Sequence, residues 1–232
     1  LSANLAGAAP NYNWSRAVPQ LSDNTSYYIQ ARARDVSGND SPLSTEFVIR
    51  FDITPPVATV NSPVTNSFLR QLASVGGTSA DPNTNSSPLA GSEIKIQRDD
   101  GNYWTGSGWT GSEQWLASVA GSPWTKSTQL PPPSDDDTGG LKNGRQYTIS
   151  ARAFDVAGNT QSVILGGNSF KVDFSSPTAL ITLPANGSRV AALPAILGTA
   201  QDTAPAAFNV KFPEIRIYDM LRVKYWKDGS GT

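Results

Sequence analysis

The chain repeats itself, and a repeat of this length limits the fold more than composition does. Leu21, Tyr27, Ile29, Ala31, Ala33, Asp35, Gly38 and Asn39 recur as Leu141, Tyr147, Ile149, Ala151, Ala153, Asp155, Gly158 and Asn159, at a constant spacing of 120 residues. A second match joins the middle to the end: Pro56, Ala58, Pro63, Gly77 and Asp81 recur as Pro177, Ala179, Pro184, Gly198 and Asp202. Further on, Glu93 to Ile96 resembles Glu214 to Ile217, and Tyr103-Trp104 resembles Tyr225-Trp226. The expected organisation is residues 1–53 as the second half of a unit, 54–174 as a whole unit, and 175–232 as the first half of another. Both ends break at nearly the same phase of the repeat.

Within one unit, short strand-like runs alternate with clusters of Gly, Pro, Asn and Ser, the pattern of a β-sandwich. Residues 57–60, 72–78, 93–98, 146–154, 162–165 and 170–174 read as strands, with further aromatic strands near Tyr103, Trp115 and Trp124. Ile94 and Ile96 share one strand face, and Tyr147, Ile149, Ala151 and Ala153 share another, because side chains alternate along a strand. No window has a helical period. Leu141, Gly144 and Tyr147 have the spacing of a tyrosine corner, in which a Tyr hydroxyl bonds back to nearby backbone. Asn24 stands where the second copy has Gly144, and both residue types tolerate positive φ.

The Asp-x-x-Gly-Asn turns at 35–39 and 155–159, each followed by a strand and a Pro-rich junction at 52–56 or 173–177, resemble those of bacterial Ig-like repeats. That resemblance covers most of the chain. It implies tandem Ig-like sandwiches, an extracellular, cell-surface location and a bacterial source, and it identifies architecture and not a ligand.

Composition narrows the function. Lys and Arg number 18 against 19 Asp and Glu, so no basic face is expected to displace counterions from nucleic acid. No apolar run reaches the roughly 20 residues of a membrane-spanning helix, so no membrane insertion is expected in this segment. The chain has no His and no Cys, which removes disulfides, thiolate ligands, Ser–His pairs and Cys–His pairs. An enzyme is therefore not expected, and neither is a resident cofactor.

Several residues invite a sharper reading. Asp35, Asp52, Asp155 and Asp173 fall near junctions, where calcium stiffens some tandem modules. With only two or so carboxylates at each junction, they read first as turn caps. The acidic run Asp135, Asp136 and Asp137 reads as a solvated loop tip, and Lys95 points away from Ile94 and Ile96. Most Trp side chains read as core. Trp109, flanked by Gly108 and Thr110, is the exception and the candidate contact for a cell-surface glycan.

A half-sandwich cannot bury its core face alone. The expected partner is thus a copy of the same repeat, docked head-to-tail through Leu1, Leu5, Ile215, Ile217, Tyr225 and Trp226. The expected function is a structural repeat of an extracellular filament, stalk or adhesin shaft, with a carbohydrate- or surface-binding module as the alternative.

Overall fold

A computed structural model describes residues 4–8, 11–84, 86–202 and 210–226. All regular structure among them is β. The chain enters through β1 (Asn4–Ala8), β2 (Asn11–Ser15), β3 (Thr25–Ile29) and β4 (Phe47–Phe51). The middle holds β5 (Val57–Ser62), β6 (Ser67–Leu69), β7 (Val75–Ala80), β8 (Leu89–Arg98) and β9 (Tyr103–Trp104). It continues with β10 (Trp109–Thr110), β11 (Leu116–Val119), β12 (Trp124–Lys126), β13 (Gln146–Asp155) and β14 (Asn168–Val172). The last strands are β15 (Thr178–Leu183), β16 (Leu197–Gln201), β17 (Tyr218–Asp219) and β18 (Lys224–Tyr225).

Two sheets form the middle: β12-β7-β5, and β10-β9-β8-β13-β14-β6 with β11 also paired to β8. This is a β-sandwich. Alternation is the cause: on β8, Ile94 and Ile96 are buried, and on β13, Tyr147, Ile149, Ala151 and Ala153 are buried. They meet Ala58 and Val75 of the other sheet, and Trp104, Trp124, Leu141, Phe170 and Val172 fill the remaining space. Gly77 lets β5 and the Trp124 ring of β12 close over β7 within their sheet. A Cβ there would lie 1.9 Å from the Thr59 carbonyl oxygen and 2.3 Å from the Trp124 ring.

Both expected tyrosine corners form. The Lys142 N–H donates to the Tyr147 hydroxyl (2.9 Å), and the Ser22 N–H donates to the Tyr27 hydroxyl (2.8 Å). Gly144 and Asn24 have φ of 79° and 57°, the left-handed conformation each turn needs.

Three local features differ from expectation. Residues 67–69 add the short strand β6, parallel to β14. Residues 162–165 are not a strand: the buried Gln161 side chain takes the Ala58 N–H (2.8 Å) and the Ala153 N–H (3.3 Å), and the chain then leaves the ladder. Residues 214–217, the copy of central strand β8, also lie outside any strand. In the middle, β8 is held along its length by β13. Among the described residues, no copy of β13 pairs with residues 214–217.

β3–β4 and β15–β16 are copies of the central hairpins β13–β14 and β5–β7, down to register. Tyr27 faces Ile49 as Tyr147 faces Phe170. Ala179 faces Ala200 and Ile181 faces Gly198, as Ala58 faces Ser79 and Val60 faces Gly77, with an irregularity at the same point in both. The connecting clasp repeats as well. The Asp23 carboxylate accepts the Ile53 N–H (2.8 Å), and Asn143 accepts the Phe174 N–H (2.8 Å) in the same way.

Candidate functional site

In the middle of the chain, the β5–β7 hairpin and the β13–β14 hairpin lie in opposite sheets and cover each other. Among the described residues, the first part of the chain supplies a copy of β13–β14 in β3–β4, and the last part a copy of β5–β7 in β15–β16. Nothing among the described residues covers their apolar faces. Tyr147, Phe170, Ile94 and Ile96 are 0% exposed. At the corresponding positions Tyr27 and Ile49 are half-buried, and Ile215 and Ile217 are 57% and 41% exposed. Trp226, which matches the buried Trp104, is 65% exposed. Apolar area removed from water is worth about 25 cal/mol per Å², so each large side chain on these faces retains on the order of 1 kcal/mol of unused burial.

Among the expected docking residues, Ile215, Ile217, Tyr225 and Trp226 are all exposed, and Tyr225 packs against Tyr218 with ring centroids 4.9 Å apart and the rings tilted by 53°. Leu5 lies in β1 opposite Trp14. Leu1 lies outside the described residues.

Beside the junction at residue 52, three carboxylates converge. Asp52 follows β4, Asp81 follows β7, and Asp155 ends β13. One oxygen from each lies within 4.8 Å of the others. Asp52 and Asp155 are buried. The Asp52 carboxylate accepts the N–H groups of Thr54 (3.0 Å) and Ser87 (2.5 Å), and its carbonyl accepts the Asn159 side-chain amide (3.0 Å). Asp155 accepts the backbone and side-chain N–H groups of Asn159 at 2.8 and 2.9 Å. Asp81 Oδ1 accepts the Asn83 N–H (3.1 Å), while its Oδ2 is buried without any hydrogen-bond partner.

Among the described residues, no Lys or Arg forms an ion pair with these three. Two like unit charges at this separation repel by about 3 kcal/mol at an effective dielectric constant of roughly 20. The donors are all hard oxygens, and neither His nor Cys occurs in the chain. Such a set suits a calcium-type cation far better than a transition metal.

The turn-cap expectation for Asp35, Asp52, Asp155 and Asp173 therefore describes part of their work. All four do cap local N–H groups. Two of them also meet a third carboxylate. Asp81 recurs as Asp202 in the sequence, and that recurrence was the available signal for it.

The other singled-out residues fall elsewhere. Trp109 is half-buried, with its ring 5.2 Å from Trp104 and 5.4 Å from Tyr147, its N–H on the Gly140 carbonyl (2.8 Å), and Arg98 over its face at 4.9 Å. It caps the core edge and is not a free platform. Lys95 is largely covered, lying over Trp115 at 5.0 Å and paired with Glu113 at 3.5 Å. The acidic run splits three ways. Asp135 accepts the Asn143 N–H, Asp136 caps Thr138 and Gly139, and Asp137 pairs with Lys142. Next to this loop, Arg98 holds the Asp100 carboxyl down at about 2 through a side-chain hydrogen bond.

No family model matches the chain, and no curated protein matches it at a significant level. No helix among the described residues is long and apolar enough to cross a membrane.

Proposed function

We propose that this chain is a structural repeat of an extracellular filament, stalk or adhesin shaft, in which each half-unit is completed head-to-tail by the complementary half of a neighbouring copy. One observation carries the reading: the uncovered faces of β3–β4 and β15–β16 are copies of two hairpins that cover each other in residues 54–174. The surface that fits each face is thus written in the same chain. A contact between unlike faces propagates in one direction, which builds a fibre and not a closed dimer. Strand pairing would give residues 214–217 the neighbour that β8 has in β13, and would supply the backbone bonds of a missing ladder. The surface location and bacterial source rest on the resemblance of the Asp-x-x-Gly-Asn turns and Pro-rich junctions to bacterial Ig-like repeats.

Sedimentation velocity of the 232-residue chain over a concentration series tests this. The expected result is a ladder of end-to-end oligomers, seen as beaded rods in negative stain. Ile217→Asp places a charge at a half-exposed position whose copy, Ile96, is fully buried, so the variant should stay monomeric with an unchanged fold. Monomer at all concentrations for the native chain refutes the proposal.

A further inference from the structure

Asn-Gly pairs occur twice in the chain, at Asn143-Gly144 and Asn186-Gly187. At such a pair the glycine nitrogen can attack the preceding side-chain amide, because no Cβ hinders its approach. The fold treats the two pairs in opposite ways. At the first, both reacting groups are tied. The Gly144 N–H donates to the Val172 carbonyl (2.8 Å). The Asn143 amide oxygen accepts the Phe174 N–H (2.8 Å), and its amide nitrogen donates to the Ser175 hydroxyl (3.1 Å).

Asn186 and Gly187 form the turn after β15, closed by the Ser188 N–H on the Ala185 carbonyl (3.1 Å). Both are exposed. Among the described residues, neither the Asn186 side chain nor the Gly187 N–H has a hydrogen-bond partner. Gly187 has φ of 75°, and apart from its chain neighbours no described atom lies within 4 Å of where its Cβ would stand.

We propose that Asn186-Gly187 is a self-modifying site: in the dispersed chain it converts spontaneously to aspartate and isoaspartate, and docking of a neighbouring copy over this turn stops the conversion. The conversion needs only the single chain. Its arrest by docking rests on the reading of the chain as a self-completing repeat.

Water is the only co-reactant. The Gly187 nitrogen gives up its proton to solvent and attacks Asn186 Cγ. The new N–Cγ bond closes a succinimide ring, the Cγ–Nδ2 bond breaks, and Nδ2 takes up a proton and leaves as ammonia. Water then opens the ring at either carbonyl. Opening at Cγ gives aspartate. Opening at the Asn186 backbone carbonyl gives isoaspartate, in which the main chain runs through Cβ and Cγ. Either product carries a negative charge that asparagine lacks.

The arrest is argued from the middle of the chain. The copy of Gly187 there is Asn66, with φ of 61°. Its N–H donates to the Ser169 carbonyl of β14 (2.7 Å). The residue that matches Ser169 in the first part of the chain is Val48 of β4. A docked neighbour would thus offer the Val48 carbonyl to the Gly187 N–H and withdraw the nucleophile. Chains left undocked accumulate a new charge and an altered backbone in the turn that must dock.

Peptide mapping by mass spectrometry, with isoaspartyl methyltransferase labelling, tests this on the 232-residue chain. In dispersed native protein, Asn186 is expected to convert at least roughly tenfold faster than Asn143, where hydrogen bonds to both reacting groups must break first. In urea the two pairs should react alike. Asn186→Gln, whose longer side chain closes the ring far more slowly, should lose the label at this turn. Equal rates at the two pairs in native protein, or an Asn186 that does not convert, overturns the site. Protein concentrated until it assembles should convert more slowly at Asn186 than dispersed protein. Equal rates in the assembled and dispersed states overturn the arrest by docking and leave the site standing. A chain that stays monomeric at every concentration overturns the assembly reading and the arrest with it, and the site is then judged on the first comparison alone.

Discussion

The two tyrosine corners form a natural experiment, because one motif sits in two environments. In Tyr147→Phe, the variant loses only a hydroxyl, and the ring keeps its stacking on Phe170 at 5.4 Å. The loss falls on the Lys142 N–H, which donates to that hydroxyl in a partly buried site. An orphaned buried donor costs about 1–3 kcal/mol, against about 1 kcal/mol for an ordinary hydrogen bond replaced by water. Tyr27→Phe removes the same bond in an exposed setting, where water can replace it at the Ser22 N–H. The dispersed chain should therefore lose about 1–3 kcal/mol at Tyr147 and about 0.5 kcal/mol or less at Tyr27. Urea unfolding followed by Trp fluorescence reads Tyr147→Phe through Trp104 and Trp124 of the core, and Tyr27→Phe through Trp14 in the same part of the chain. In the assembled state the order should change. Tyr27 would be covered as Tyr147 is, so Tyr27→Phe should weaken association roughly 5-fold to 100-fold, the equivalent of about 1–3 kcal/mol. Equal losses at the two positions in dispersed protein, or no effect of Tyr27→Phe on association, would refute this reasoning.

Three further outcomes are expected. Gly77→Ala should destabilise the sandwich by about 1–3 kcal/mol or more in the same urea assay, because the new methyl meets the Thr59 carbonyl and the Trp124 ring. Asp81→Asn should match or exceed the native melting temperature, because it relieves repulsion among Asp52, Asp81 and Asp155. Asp100 has a folded pKa of about 2, below its ordinary 3.8; its contribution is full above the ordinary value and is lost as pH falls toward the folded value. Asp100→Asn should thus flatten the acid-unfolding curve between those two pH values.

Much of the sandwich was legible because its causes are local. Alternation on residues 93–98 and 146–154 marked the buried faces, and the Leu141-Gly144-Tyr147 spacing marked the corner. The repeat also marked which hairpins the two ends would form. What escaped depends on distant partners. Asp81 joins Asp52 and Asp155 only once two sheets and a junction are folded, so counting acids near each junction found two where three meet. Gln161 bridges Ala58 and Ala153 through its side chain, which no strand pattern encodes. Residues 162–165 form an apolar, β-branched run like a strand, but no ladder edge among the described residues receives them. Trp109 looked free because Gly and Thr flank it, yet Arg98 and Tyr147 close around its ring.

Head-to-tail completion predicts an exact register between copies, and this can be read directly. In the central sandwich, Lys95 faces Ser150 across β8 and β13. The corresponding residues at the seam are Arg216 on one copy and Gln30 on the next. The chain has no Cys, so a Gln30→Cys chain mixed with an Arg216→Cys chain can form only the bonds engineered into it. Directly opposed strand residues have Cβ atoms about 4.5–5.5 Å apart, near the reach of a disulfide. The account predicts rapid formation of the mixed disulfide dimer under mild oxidation, on a non-reducing gel, and little when Gln30→Cys is replaced by Tyr28→Cys, two residues out of register. No mixed dimer, or equal yield from both pairings, would contradict it.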